Sequence, residues 1–360
     1  MERDSNRLPP KMEPFPGCRV HLAMNIVPYG RKQWLYLGLR FCILIAALAL
    51  CAGMMTLMPG RTYSGPLESL SDGDEVVRDN INRHVSILAG SIGERNTARY
   101  AELQRAADYI TSCFESEGFV VGEQSFAAGN RAVRNLETQI SSRNDSTATL
   151  IVGAHYDSAH GSPGANDNAT GVAALLELAR LLRDSKPGLR IRFVAFVNEE
   201  PPYFQTESMG SRQYAVMASG RNENIEGMLA LETLGWYSSS PGSQEYPFGL
   251  GLFYPSRGNF VGFVGNLSSR AMVRRSIDAF RKAARFPSEG IAAPGWFTGV
   301  GWSDHWSFWK QGIPAIMITD TALFRYPWYH TSGDTPDKVD CERTARVVSG
   351  IARVIIELAR

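Results

Sequence analysis

Residues 152–182 read VGAHYDSAHGSPGANDNATGVAALLELARLL, which sets His155, Asp157 and Asp167 between an apolar run and a strongly apolar helical pattern. Further on, Glu199 and Glu200 follow IRFVAFV, Glu232 lies in MLALETL, and His330 lies in YHTSGDTPDKVD. Imidazole and carboxylate are ligand types that zinc accepts. So many carboxylates cannot share a buried space without cations, because their charges repel and they take up protons instead. One bridging carboxylate with two more ligands per metal leaves a shared position for water, as in two-metal hydrolases, and one glutamate remains as the base. Adjacent Glu199 and Glu200 can divide ligand and base between them, since neighbours at a strand end project differently.

The elements that must position these groups are visible in the hydrophobic pattern. Short, apolar, branched runs at 149–154, 191–197, 228–234 and 314–319 read as strands. Helical patterns fall at 171–183, 210–220, 270–285 and 344–360, and an earlier one places Leu103, Ala107, Ile110 and Phe114 on one face, with Gly118 as its stop. Such alternation predicts an α/β fold, a three-layer αβα sandwich around a mostly parallel mixed sheet. Sheets of this kind keep their chemistry at strand C-terminal ends, where His155, Asp157, Glu199 and Glu200 fall.

Taken together, AHYDS…GANDNATGVAALLELARLL, FVNEE…MGSRQYA, SDHWSFWKQGIPAIMIT and YHTSGDTPDKVD resemble the di-zinc aminopeptidase family. That family contains bacterial leucyl aminopeptidases, glutamate carboxypeptidases and glutaminyl cyclases. The resemblance spans roughly residues 75–360, with the four motifs in the family's order. It implies two zinc ions per chain, His155 on one, Asp167 bridging both, Glu200 and His330 on the other, and Glu199 as general base. Asp157 would hold the other nitrogen of His155. The family's remaining ligand, usually aspartate, falls on Glu232, a departure by one methylene. A cis peptide is implied between Asp167 and Asn168. The segment from Pro201 to Phe204 begins an insertion expected to line the substrate cleft. The implied activity is that of a zinc exopeptidase, an aminopeptidase acting on peptides. The alternatives are a one-zinc glutaminyl-peptide cyclotransferase, against which Tyr329 stands where cyclases tend to carry tryptophan, and a non-catalytic ectodomain that keeps the fold.

The remaining histidines are set apart from the ligand motifs. His160 reads as a loop residue, and His21 and His84 fall outside every motif. Asp304 and His305 are placed either at the site wall or behind the ligands. Trp296, Trp302, Trp306 and Trp309 suit a substrate wall or simple packing.

The chain has 360 residues, 44% of them hydrophobic, and a formal net charge of +1. No basic block or stripe marks a nucleic-acid partner. Residues 34–58 are apolar apart from Arg40, and the uncharged 41–58 would span about 27 Å as a helix, close to a bilayer core. An uncleaved anchor is favoured over a signal peptide, because the preceding charged region is too long. Arg3, Arg7, Lys11, Arg19, Arg31 and Lys32 precede it, so a cytoplasmic tail (1–33) is expected. An anchor (34–58), a linker (59–74) and an extracytoplasmic zinc peptidase domain (75–360) would follow, in a periplasmic, extracellular or lumenal space. Cys113 and Cys341 could pair or stay as thiols; oligomeric state is left open.

Overall fold

In a computed structural model of the chain, residues 30–247 and 249–360 are described. Cys18, His21 and the basic residues from Arg3 to Arg19 lie outside the described residues. Helix α1 (Arg31–Thr56) is long and apolar enough to cross a membrane, a property that a signal sequence near an N-terminus shares. The chain divides between Cys51 and Ala52. Everything below concerns the second unit.

That unit is built on one eight-stranded sheet: β1 (Gly122–Ala128), β2 (Arg131–Ile140), β3 (Thr149–His155), β4 (Arg190–Phe196), β5 (Ile225–Glu232), β6 (Val261–Gly265), β7 (Ser288–Ala292) and β8 (Ala315–Thr319). Their order is β1-β2-β4-β3-β5-β8-β6-β7. The strands from β4 to β8 through β3 and β5 pair in parallel, as do β6 and β7, while β1–β2, β2–β4 and β6–β8 are antiparallel. The expected mixed, mostly parallel αβα sandwich is therefore present.

Alternation along the central strands divides the core into layers. Leu150, Val152 and Ala154 of β3 face the layer of α2 (Asp72–Val85), α4 (Thr170–Leu182) and α8 (Cys341–Leu358), with α3 (Tyr100–Ser116) and α6 (Arg270–Ala283) beside them. Ile151 faces the opposite side, under α5 (Gly210–Gly220) and α7 (His305–Trp309). Helix α4 is apolar on nearly every face and is buried accordingly.

Two stretches differ from the expected organisation. Helix α2 starts at Asp72, inside the expected linker. The Ser71 hydroxyl accepts from the Asp74 amide at 3.2 Å, and Asp72, Asp74 and Glu75 oppose the helix dipole in the first turn. The rest of that segment is not loose chain. The Pro59 carbonyl accepts from Arg281 Nη1 at 2.9 Å, and the Thr62 hydroxyl accepts from the Ser288 amide at 2.9 Å.

Candidate metal centre

Strands β3 and β5 end on His155 and Glu232, and the sheet brings His155 Nε2 to 3.3 Å from Glu232 Oε2. Asp167 reaches the same place from the turn before α4. Its Oδ1 lies 3.3 Å from His155 Nε2 and its Oδ2 lies 3.0 Å from His330 Nε2. Glu200 Oε2, beyond the end of β4, is 3.2 Å from that His330 nitrogen. Two sets of donor atoms result, His155–Asp167–Glu232 and Asp167–Glu200–His330, each with its atoms within 4.8 Å of one another. Glu199 Oε2 stands 4.0 Å from His155 Nε2 and belongs to neither set.

The residues around Asp167 hold it by hydrogen bonds. Asp334 accepts from the amides of Asn166 at 2.8 Å and Asp167 at 3.1 Å, and is itself held by the Tyr326 hydroxyl at 2.6 Å. The Asn168 side chain donates to the Leu231 carbonyl at 2.8 Å and accepts from the amides of Gly171 and Thr233, both at 3.0 Å. This packing leaves no room at Gly171, where a Cβ would come within 2.3 Å of Asn168 Oδ1 and 2.5 Å of the Leu231 carbonyl. The Asp167–Asn168 peptide is cis, as the family resemblance implies.

Asp157 stands beside His155 and also holds the backbone just beyond the next strand. Its Oδ1 is 3.5 Å from His155 Nδ1, and its two oxygens also accept the amides of Glu199 and Glu200, each at 3.1 Å. The aspartate thus ties the end of β3 to the chain leaving β4.

Charge accumulates here without internal compensation. Burial opposes the charged ring of His155, but Glu232, Glu199, Asp157 and Asp167 outweigh it and hold the imidazole well above its ordinary value. His330 is likewise opposed by burial and raised by Asp167 and Glu200, to about 10. Burial pushes Glu200 up to about 7 and raises Glu199 well above the carboxylate range. His155 Nδ1 and Nε2, Asp167 Oδ1 and Glu200 Oε1 are all buried without a hydrogen-bond partner. Buried, convergent and unpaired nitrogen and carboxylate donors fit a divalent cation of the zinc type.

An apolar cleft opens beside Glu232. With its open mouth it encloses about 850 Å³ and is walled by Tyr246, Leu250, Tyr254, Phe260, Met317 and Phe324. Its floor is a cross-strand row, Glu232–Thr319–Gly262–Glu289. The row crosses three strand spacings, roughly 14 Å. Trp302 and Tyr329 also face the cleft, and the Tyr329 ring stacks on His330 at 3.9 Å between centroids. Pro201, Pro202 and Tyr203 line a second, smaller cleft of about 390 Å³ with Asp157 and Glu200.

All seven site residues expected from the sequence are thus brought together. His160 is an exposed loop residue. His305 gives Nε2 to the Val300 carbonyl at 2.8 Å and sits edge-on to Trp309, so it supports the loop and is not a donor to the centre. Asp304 is buried, and Ser303 donates to Glu232 Oε2 at 2.7 Å. Trp309 is a packing residue, with Nε1 on the Ala315 carbonyl. Cys113 and Cys341 are free thiols.

Sequence reasoning missed Asp334, Ser303 and Arg95. Arg95 is fully buried, and its guanidinium donates to the carbonyls of Tyr156 at 2.7 Å, Pro163 at 2.5 Å and Gly164 at 2.8 Å, clamping the loop that leads to Asp167. Asp334 and Ser303 lie inside quoted motifs, so position was their only signal; Arg95 stands in no pattern at all.

Comparison with known proteins gives the family and the fold. The model of peptidase family M28 matches residues 135–355, and the chain belongs to that family. It is 36% identical over 286 residues to the uncharacterized protein YfbL of Escherichia coli (strain K12), covering 77% of this chain and 87% of that one. It is 27% identical to aminopeptidase YwaD of Bacillus subtilis (strain 168) over 59% of this chain, which spans 41% of that larger protein. Among solved structures, a zinc aminopeptidase from Bacillus subtilis superposes with a TM-score of 0.63 at 17% identity, covering 77% of this chain and 94% of that one. A glutaminyl cyclase from Bacteroides thetaiotaomicron superposes with 0.58 at 19% identity, over 78% and 97%. These two likenesses establish the fold alone.

Proposed function

We propose that the protein is a membrane-anchored zinc exopeptidase of the aminopeptidase type, acting on peptides whose N-terminal residue is bulky and apolar. The observation that carries this reading is the division of Asp167, one oxygen toward His155 and the other toward His330. A single carboxylate shared between two three-donor sets suits a pair of ions. Zinc held by His155, Asp167 and Glu232 on one side and by Asp167, Glu200 and His330 on the other would supply Lewis acidity and an acidified water.

The chain's own groups do the rest. Glu199 belongs to neither set, is buried, and is raised well above the carboxylate range by that burial, which suits it to take a proton from water and return it to the leaving amine. Asp157 fixes the backbone from which both glutamates project. The apolar cleft beside Glu232 receives the substrate's first side chain. The run of apolar residues in α1 supports a retained anchor, with the catalytic unit outside the cytoplasm.

Replacing Glu199 by Gln should lower kcat by about 10³-fold while zinc content, measured by atomic absorption, is unchanged. A variant with near-normal turnover would remove Glu199 from the role of base. Wild-type protein holding a single zinc and forming pyroglutamate from N-terminal glutamine would move the assignment to a cyclotransferase. Protein that binds no zinc would move it to a non-catalytic ectodomain.

A further inference from the structure

The cleft shares its floor with the end of the apolar helix. Val264, Ile291, Ala293, Val300 and Met317 form a small buried cluster on the face of the sheet opposite α2 and α8. Packed on that cluster are Leu250 and Tyr254 of one loop, Phe297 of another, and Met55 from the last turn of α1. Met58 follows onto β7, close enough that a Cβ on Gly290 would lie 3.0 Å from its Cγ. From Phe41 to Met58 the chain carries no charge, and the first charged residue after it is Arg61. No polar spacer therefore separates the membrane-length apolar run from the residues seated at the cleft.

The loops of this region carry side chains that water does not favour. Leu252 is 86% exposed and Phe253 52%, between the cleft-lining Leu250 and Tyr254; Trp296 is 83% exposed beside Phe297. Single exposed apolar residues are ordinary on a protein surface. Here three large ones stand on loops that pack, through Leu250, Tyr254 and Phe297, on the same cluster as the end of an 18-residue apolar run. Cations stand at the end of that run: Arg270 Nε donates to the Met54 carbonyl and Arg274 Nη1 to the Leu57 carbonyl, both at 2.5 Å. An aromatic ring with arginines at the end of an apolar helix is the composition of a lipid–water boundary.

We propose that Leu252, Phe253 and Trp296 are a bilayer-contacting surface, so that the cleft opens at the lipid headgroups and the enzyme draws its substrates from molecules adsorbed at that interface. The proposal rests on the retained anchor and on the peptidase reading. The bilayer is the chosen occupant because the uncharged run 41–58 ends in Met55 and Met58, which pack at this spot.

The test uses the full-length chain with Trp34→Phe, reconstituted into vesicles of equal phosphatidylcholine and phosphatidylglycerol carrying brominated acyl chains. Bromine should quench the tryptophan emission, and adding Trp296→Phe should remove the larger part of that quenching. Equal quenching in the two proteins, with mass spectrometry showing an intact chain, would refute the lipid contact while leaving the anchor standing. A chain shortened past Met58 would refute the anchor and the proposal together. A second arm replaces Leu252, Phe253 and Trp296 by Ser. Cleavage of soluble leucine amide should be unchanged, and kcat/KM for a leucyl peptide held on the vesicles by an acyl chain should fall about tenfold. Equal losses on both substrates would assign the three residues to the cleft itself and overturn the interfacial role; loss of leucine amide cleavage by the Trp34→Phe parent would instead count against the peptidase reading.

Discussion

Among the described residues, two histidine–carboxylate clusters, one closed and one open to solvent at His330, are opposite in character. In one, His84 Nδ1 meets the Tyr109 hydroxyl at 2.7 Å, and the neighbouring Glu177, 1% exposed, is held by Arg180 at 2.7 Å. Burial, with Arg83 and Arg180 adding to it, pushes His84 down to about 3 and keeps it neutral. In the other, His155 and His330 are drawn up by surrounding carboxylates, and buried donor atoms are left unpaired. Burial of a histidine or a glutamate thus marks nothing by itself. The signature of a site is convergence of donors whose partners the protein does not supply.

Three experiments can break or sharpen this contrast. The largest effect is expected at the shared carboxylate: Asp167→Asn should abolish peptidase activity and empty both donor sets of zinc by atomic absorption. Glu177→Gln, the matching change in the other cluster, should leave zinc content and turnover intact. A zinc-replete Asp167→Asn protein would show that the residue does not bridge.

Next comes the clamp behind the centre. Arg95→Met strands the buried carbonyls of Tyr156 and Gly164 and the half-buried one of Pro163, and should lower the unfolding free energy by about 3 kcal/mol in urea melts. Arg95→Lys should recover little, because an ammonium cannot reproduce the guanidinium fork. Stability equal to the wild type would mean that the loop before Asp167 holds itself.

The smallest effect concerns pH. The folded value of His84, about 3, lies below its ordinary 6.5, so acid protonates the unfolded chain first. Its contribution is complete above 6.5 and is lost as pH falls toward 3, at up to about 1.4 kcal/mol per pH unit. His84→Gln removes that component. Between roughly pH 7.5 and 5 the variant should therefore lose about 1–2 kcal/mol less than the wild type in parallel urea melts. Identical losses would show that His84 is not held neutral.

The site was far more legible in the sequence than the fold around it. His155, Glu200 and Glu232 sit at or just past the ends of apolar runs, Asp167 just before an apolar helix and His330 inside a quoted motif, where spacing and residue type signal together. The outer strands gave no such signal: β6 is VGFVG and β7 is SEGIA, too short and too glycine-rich to stand out. The hairpin of β1 and β2 was missed because its exposed edge alternates with polar residues. Helix α2 opens DGDE and resembles a linker until its Ser71 cap is seen. The apolar cleft has no linear motif, being assembled from segments spread between Glu232 and Tyr329. The hold of Asp157 on the amides of Glu199 and Glu200 was not foreseen, since side-chain spacing says nothing about which backbone amides a carboxylate will meet.

Asp157 also governs how the two donor sets respond to each other. Asp157 is a member of neither, yet it lies against His155 of one and grips the amide of Glu200 in the other. Sliding β3 past β4 cannot loosen one pocket while sparing its neighbour. Occupancy should accordingly be cooperative, with the first ion to arrive tightening the berth of the second.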